Sequence, residues 1–211
     1  MFRVLTIRLT AVLISTALVR GAAAQGPGPL TAMSAEEQTR LALSTAPPEI
    51  SSRASLYVLG STGYQHVRTG SNGFSCLVER EFLEAIEPVC YDAEGSATTL
   101  QARLYREELR AQGLPEDDVR QRVEAGYRDG RFHAPRKPGI VYMLAPEQWS
   151  WNPFAKKFWK APPHFMLHAP FATQDDVGGF TGRMNMPVIG WPGQPDALMI
   201  IMAQKANPRN L

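Results

Sequence analysis

The sequence has no Gly-x-x-x-x-Gly-Lys phosphate loop, no Gly-x-Gly-x-x-Gly dinucleotide fingerprint, no Gly-x-Ser-x-Gly nucleophile elbow and no Cys-x-x-Cys pair. Those absences remove the motif grounds for nucleotide hydrolysis, nicotinamide or flavin redox chemistry, an α/β-hydrolase serine and a dithiol oxidoreductase. No segment repeats. Neither sign of charge is in surplus: Lys and Arg total 22 against 20 Asp and Glu. Three of the basic residues, Arg3, Arg8 and Arg20, fall in the first 24 positions, which hold no acid, so 19 basic and 20 acidic residues remain beyond them, a charge of −1. A nucleic-acid partner needs a basic field, and the rest of the chain has none. Beyond the N-terminal region no apolar run approaches the ~20 residues of a membrane-spanning helix.

What stands at the start reads as an export signal. Arg3 and Arg8 precede an apolar run from Leu9 to Val19, followed by the small residues Ala22, Ala23 and Ala24. The run is roughly 11 residues, within the 7–15 of a signal core. Residues 1–24 are therefore expected to be cleaved, leaving Gln25 as the new N-terminus and membrane contact only transient during export. An uncleaved anchor is the alternative, kept open by Arg20. The expected location is periplasmic or extracellular. About 187 residues remain, with apolar residues at 44% and charged residues at 20% of the chain, which suits one folded domain rather than disorder.

Cysteine is scarce: Cys76 and Cys90 are the only two. In an oxidising compartment an even pair is expected to form a disulfide, worth about 3 kcal/mol by loop entropy. A thiol nucleophile at Cys76 would not stay free beside such a partner.

Residues 25–33 open on Gln-Gly-Pro-Gly-Pro and read as a flexible linker. Ser34 and Glu37 form a capping-box pattern, predicting a helix to about Ser44 that stops before Pro47 and Pro48. Three strand-like runs, from Ser55 to Leu59, Tyr64 to Thr69 and Phe74 to Val78, predict a β-meander with turns at Gly60–Gly63 and Asn72–Gly73. Phe74, Cys76 and Val78 share its inward face. Leu100, Leu104, Tyr105 and Leu109, then Val119, Val123 and Tyr127, give four-residue spacings that predict a helical hairpin over 98–130. Its other faces, dense in Arg and acids, read as solvated. Strand signals return at 139–144, 164–168 and 197–202, and a polar tail closes the chain from Lys205. The expected fold is α+β, a mostly antiparallel sheet with an inserted helical hairpin, as a single domain over 34–204.

Three features suggest chemistry. Trp149, Trp151 and Trp159 sit with Phe154 and Phe158 among Lys156, Lys157 and Lys160. Such rings stack on a ligand such as a sugar, sit at a membrane surface, or cover a sheet edge or core while the lysines face water, and the covering role weighs more. His164 and His168 share a face and, with Asp175 or Asp176 in the following loop, make a candidate metal set. An extended strand would hold the two imidazoles about 13 Å apart, too far for one ion without a bulge. Met184 and Met186 near a histidine suggest Cu(I), although methionine is more often core filler. The favoured function is an exported non-catalytic domain binding a small ligand, an envelope glycan or a partner protein. The alternative is an exported hydrolase or metal-dependent enzyme using the histidines and an acid. The residues leave the cofactor unknown.

Overall fold

In the computed structural model, residues 28–179 and 186–202 are described. They form five helices and ten strands: α1 (Ala35–Leu43), α2 (Pro48–Ser51), β1 (Ser55–Gly60), β2 (Gly63–Arg68), β3 (Ser75–Glu79), β4 (Glu87–Tyr91), α3 (Ala93–Ala97), α4 (Thr99–Ala111), α5 (Glu116–Arg128), β5 (Ile140–Met143), β6 (Trp149–Asn152), β7 (Lys157–Lys160), β8 (His164–His168), β9 (Val188–Gly190) and β10 (Leu198–Met202). Eight strands make one sheet in the order β2-β1-β3-β4-β5-β8-β10-β9, and β6 and β7 form a separate hairpin. Every pairing is antiparallel except β1 with β3. The fold is α+β, a mostly antiparallel sheet carrying a helical hairpin.

The segment expected to be an export signal, Met184 and the polar tail lie outside the described residues. The segment expected as a linker is docked at its described end: Leu30–Ala32 make a single 3-10 turn and Leu30 is fully buried. A leucine in the core gives that stretch the apolar anchor which its Pro-Gly composition conceals. From there the chain obeys its local signals. Ser34 caps α1 by accepting the Glu37 N–H, and the Glu37 carboxylate accepts the Ser34 N–H, closing the capping box.

The expected meander does not form. β1 and β2 pair through the Gly60–Gly63 turn, but β3 lies on the other side of β1 and parallel to it. Asn72 makes a local turn by accepting the Phe74 N–H, and its amide donates to the Ile50 carbonyl, so the loop is tied back across the start of β1. Asn-Gly chemistry fixes a turn; it does not choose which sheet edge the next strand joins.

β4, which the sequence pattern does not reveal, then pairs with β3 in a register that sets Cys76 opposite Cys90, and the two are joined as a disulfide. Alternation along the strands gives the sheet two buried faces. On one, Leu56, Cys76, Val78 and Cys90 pack with Leu41 and Ala42 of α1. On the other, Leu77, Val89, Tyr91, Val141, Met143, Met166 and Leu198 pack with Leu100 of α4. Helices α4 and α5 close on each other through Ala102, Leu109, Val119, Val123 and Phe132.

The charged faces of this helical pair are not all solvated. Arg103 and Glu107 of α4 are each only 3% exposed. Glu107 pairs with Arg80 at 2.7 Å and with Arg110 at 2.6 Å, and Arg110 reaches on to Glu116 at 2.7 Å. Helical spacing shows which residues share a face, but burial of that face was decided by Arg80 and the acids that the loop after β3 brings to it.

Candidate functional site

Helices α4 and α5 cover only part of their sheet face. Beyond them a cleft of about 520 Å³ opens over the same face. By the two-residue period its floor is the continuation of the core pattern: Glu79 of β3, Glu87, Val89 and Tyr91 of β4, Met143 of β5, His164 and Met166 of β8, and Leu198, Ile200 and Met202 of β10. One wall is the β6–β7 hairpin. Ser150 pairs with Trp159 and Trp151 with Phe158, so those pairs occupy opposite sides of the ribbon. Trp159 and Ser150 line the cleft. Trp151 also reaches it, while packing edge-on to Phe158 at 5.3 Å and tilted to Phe82 at 5.6 Å.

The hairpin is held in place by backbone and amide bonds. Ile86 and Trp149 exchange two N–H to carbonyl bonds of 2.8 Å, tying the ribbon to the segment before β4. The buried Gln148 side chain donates to the Met143 and Ala145 carbonyls, fixing its entry from β5. A second wall is the Trp191–Pro192 turn. Trp191 has φ 54°, a left-handed conformation that a bulky residue avoids. The Arg103 guanidinium lies 4.7 Å from its ring centre, and the Trp191 side chain helps to lower Glu81.

Three carboxylates line this cleft, and their surroundings push them apart. Burial opposes ionisation of Glu81, but Arg106 and Arg103 beside it outweigh that and hold its carboxyl at about 2. Burial raises Glu79 above the usual range, only partly offset by Arg103 at 3.9 Å and the Tyr91 hydroxyl donating at 2.8 Å. Burial also raises Glu87, and the negative charges of Glu81 and Glu79 add to it, so that it reaches about 7 despite accepting from the Glu81 N–H and the Ser150 side chain. Among the described residues Glu87 has no cationic partner. Arg103 is already shared with Asp196 at 3.1 Å and Glu81 at 3.5 Å.

The sequence-derived candidates divide. Trp151 and Trp159 line the cleft, whereas Trp149 packs against the α1-side core. His164 and His168 lie on one face of β8 but do different things. His164 lines the cleft with its Nδ1 2.8 Å from the Pro162 carbonyl oxygen, and burial holds it below the usual histidine range. His168 is fully buried in its side chain and sits 3.0 Å from Asp92. Asp92 is thereby tied to β8 while accepting from the Gly95 and Ile140 N–H groups; these bonds outweigh burial and keep its carboxyl low. Glycine is required beside this pair, because a Cβ on Gly139 would collide with the Asp92 carboxylate and the His168 ring.

Asp175 belongs to a 3-10 turn, Asp175–Val177, and Asp176 is engaged by Thr173. The described residues contain no group of three His, Cys, Asp or Glu arranged to hold a metal ion, so His164, His168 and Asp175 are not brought together. A shallow open depression lies over Asp92, Gly139 and Met199, with the His168 side chain sealed beneath it.

The chain matches no family model, no curated protein and no solved structure. The site therefore rests on its own geometry. Sequence reasoning missed Glu79, Glu87, Tyr91 and Trp191. One signal was present for two of them: an antiparallel disulfide register that sets residue 76 against 90 also sets 79 against 87.

Proposed function

We propose that this chain is an exported, non-catalytic binding domain whose cleft holds one small, largely apolar ligand. The observation that carries the reading is the half-covered sheet face. Core-like side chains continue past the end of α4, and the space above them is walled by Trp151, Trp159 and Trp191 rather than filled. Apolar surface of that kind in a pocket of this volume, with few polar groups, is the usual character of a small-molecule site. The Cys76–Cys90 disulfide and the Leu9–Val19 run before Ala22-Ala23-Ala24 support export. No described helix is long and apolar enough to cross a membrane.

Titration with the neutral apolar fluorophore N-phenyl-1-naphthylamine tests the reading. One molecule is expected to bind per chain, with affinity falling about tenfold or more in Trp159→Ala, whose folding is retained. Failure of the folded wild type to bind apolar probes would end it. N-terminal sequencing of protein recovered from its native cell is expected to begin at Gln25.

A second reading has one observation in its favour. Glu81 and Glu87, held at about 2 and about 7, show the divergence of an acid–base carboxylate pair. That would suit an exported glycoside hydrolase, although Arg106 and Arg103 occupy Glu81. Turnover of chromogenic aryl glycosides that disappears in Glu87→Gln would establish it over binding alone.

A further inference from the structure

We infer that the ligand of this cleft is an organic cation, an apolar body ending in a quaternary or protonated amine, whose positive charge sits against Glu87 among the Trp and Tyr rings. The inference rests on the binding reading above and names its ligand class. Its grounds are geometric. Glu79 and Glu87 face each other directly across β3 and β4 on the cleft floor, a like-charge pair that a sheet does not favour on its own account. Among the described residues, counter-charge reaches only one side of the pair: Arg103 and Arg106 serve Glu79, Glu81 and Asp196, so the described cluster, with Glu87, holds four acids against two cations.

The neighbouring cluster is balanced by contrast, with Arg80 and Arg110 against Glu107 and Glu116. The residues lining the cleft include three glutamates and no Lys or Arg among those described. Tyr91, Trp151, Trp159 and Trp191 line the same cavity, with the Trp191 ring also against Arg103. A carboxylate without a counter-ion beside several aromatic rings is the chemistry that recognises ammonium groups, through charge and cation–π attraction together. An anionic ligand would be disfavoured by the ionised glutamates there.

The groups that bear on the charge of Glu87 are Glu81, Glu79 and Ser150; Tyr91 and His164 line the same cleft, and Arg103, Arg106 and Asp196 belong to the ion-pair cluster around Glu81. A bound cation stabilises ionised Glu87, so binding near pH 6.5 is expected to release a proton to buffer. A quaternary ammonium does not itself titrate, so that proton comes from the protein.

The test uses three probes of one shape on the intact chain: 4-phenylbutyltrimethylammonium, its isostere with carbon in place of nitrogen, and the matching carboxylate. Binding is followed by tryptophan fluorescence and calorimetry in buffers of different ionisation heat. The cation is expected to bind at least tenfold tighter than the neutral isostere at pH 8, with several-fold weaker binding at pH 5.5. In Glu87→Gln the preference is expected to shrink to about twofold while the isostere binds as before. Equal binding of cation and isostere, or preference for the carboxylate, overturns the ligand class and leaves the cleft reading standing. No binding by any probe overturns both. If Glu87→Gln does not fold, the wild-type pH series decides: an affinity for the cation that is flat from pH 5.5 to 8 contradicts the role of Glu87.

Discussion

One sheet face in this molecule is finished in two ways. Under α4 it is closed by Leu100 and by Arg103, whose charge is shared among Glu79, Glu81 and Asp196. Past α4 the same face lies beneath the β6–β7 hairpin and the Trp191 turn, with open volume between and with Glu87 lacking a counter-ion among the described residues. The covered half shows how this fold neutralises a buried acid when stability is the only demand. The open half departs from that solution with residues drawn from the same strands. Ionising Glu87 there costs stability, so we attribute its place in the cleft to binding.

Substitutions can break the comparison from either side. The largest effect belongs to the covered half. Arg103→Leu leaves three acids without their shared cation and is expected to cost about 3–5 kcal/mol in urea unfolding. Next come two tryptophans of one hairpin. Trp149→Ala removes a ring from the α1-side core and is expected to cost about 2–3 kcal/mol, while Trp159→Ala is expected to cost under about 1 kcal/mol and to lose probe binding instead. Equal destabilisation by both would erase the distinction between core and cleft.

Gly139→Ala is expected to cost about 1–3 kcal/mol by overpacking against Asp92 and His168, with probe affinity unchanged because that pair lies outside the cleft. The last effect depends on pH. Glu87 holds its proton more tightly folded, at about 7, than unfolded near 4.5, so its contribution is fully present below about 4.5 and is lost as pH rises through 7. Glu87→Gln is therefore expected to gain on the order of 2 kcal/mol relative to wild type between pH 5 and pH 8. His164, held low by burial, acts in the opposite direction over part of this range in both proteins and cancels in the difference. Glu81, held at about 2, acts only in acid. Parallel pH profiles for the two proteins would remove Glu87 from the account.

Where the sequence was readable, short-range chemistry was in control. The Ser34–Glu37 capping box, the Gly60–Gly63 turn, the spacing of Leu100 with Leu109 and the cysteine pair each depend on residues close in the chain or on compartment. Three misreadings have one cause, which is partners far along the chain. The Asn72–Gly73 turn says nothing of β3 choosing β1's free edge. Pro88 lacks a backbone donor and hides β4. The charges of α4 look solvated until Arg80 and Glu81 arrive from the loop after β3. The cleft was half legible: the cluster of Trp151 and Trp159 pointed to it, but its acids and Trp191 come from β3, the loop after it, β4 and the turn after β9, which meet only in the folded sheet.

The chain has four tryptophans, and they divide three to one between the cleft and the opposite core. Their indole N–H signals in a proton–nitrogen NMR spectrum, assigned with single Trp→Phe variants, can be followed while N-phenyl-1-naphthylamine is added. Our account predicts saturable shifts for Trp151, Trp159 and Trp191, with Trp149 unmoved. Four unmoved signals, or a shift of Trp149 as large as the others, would contradict it.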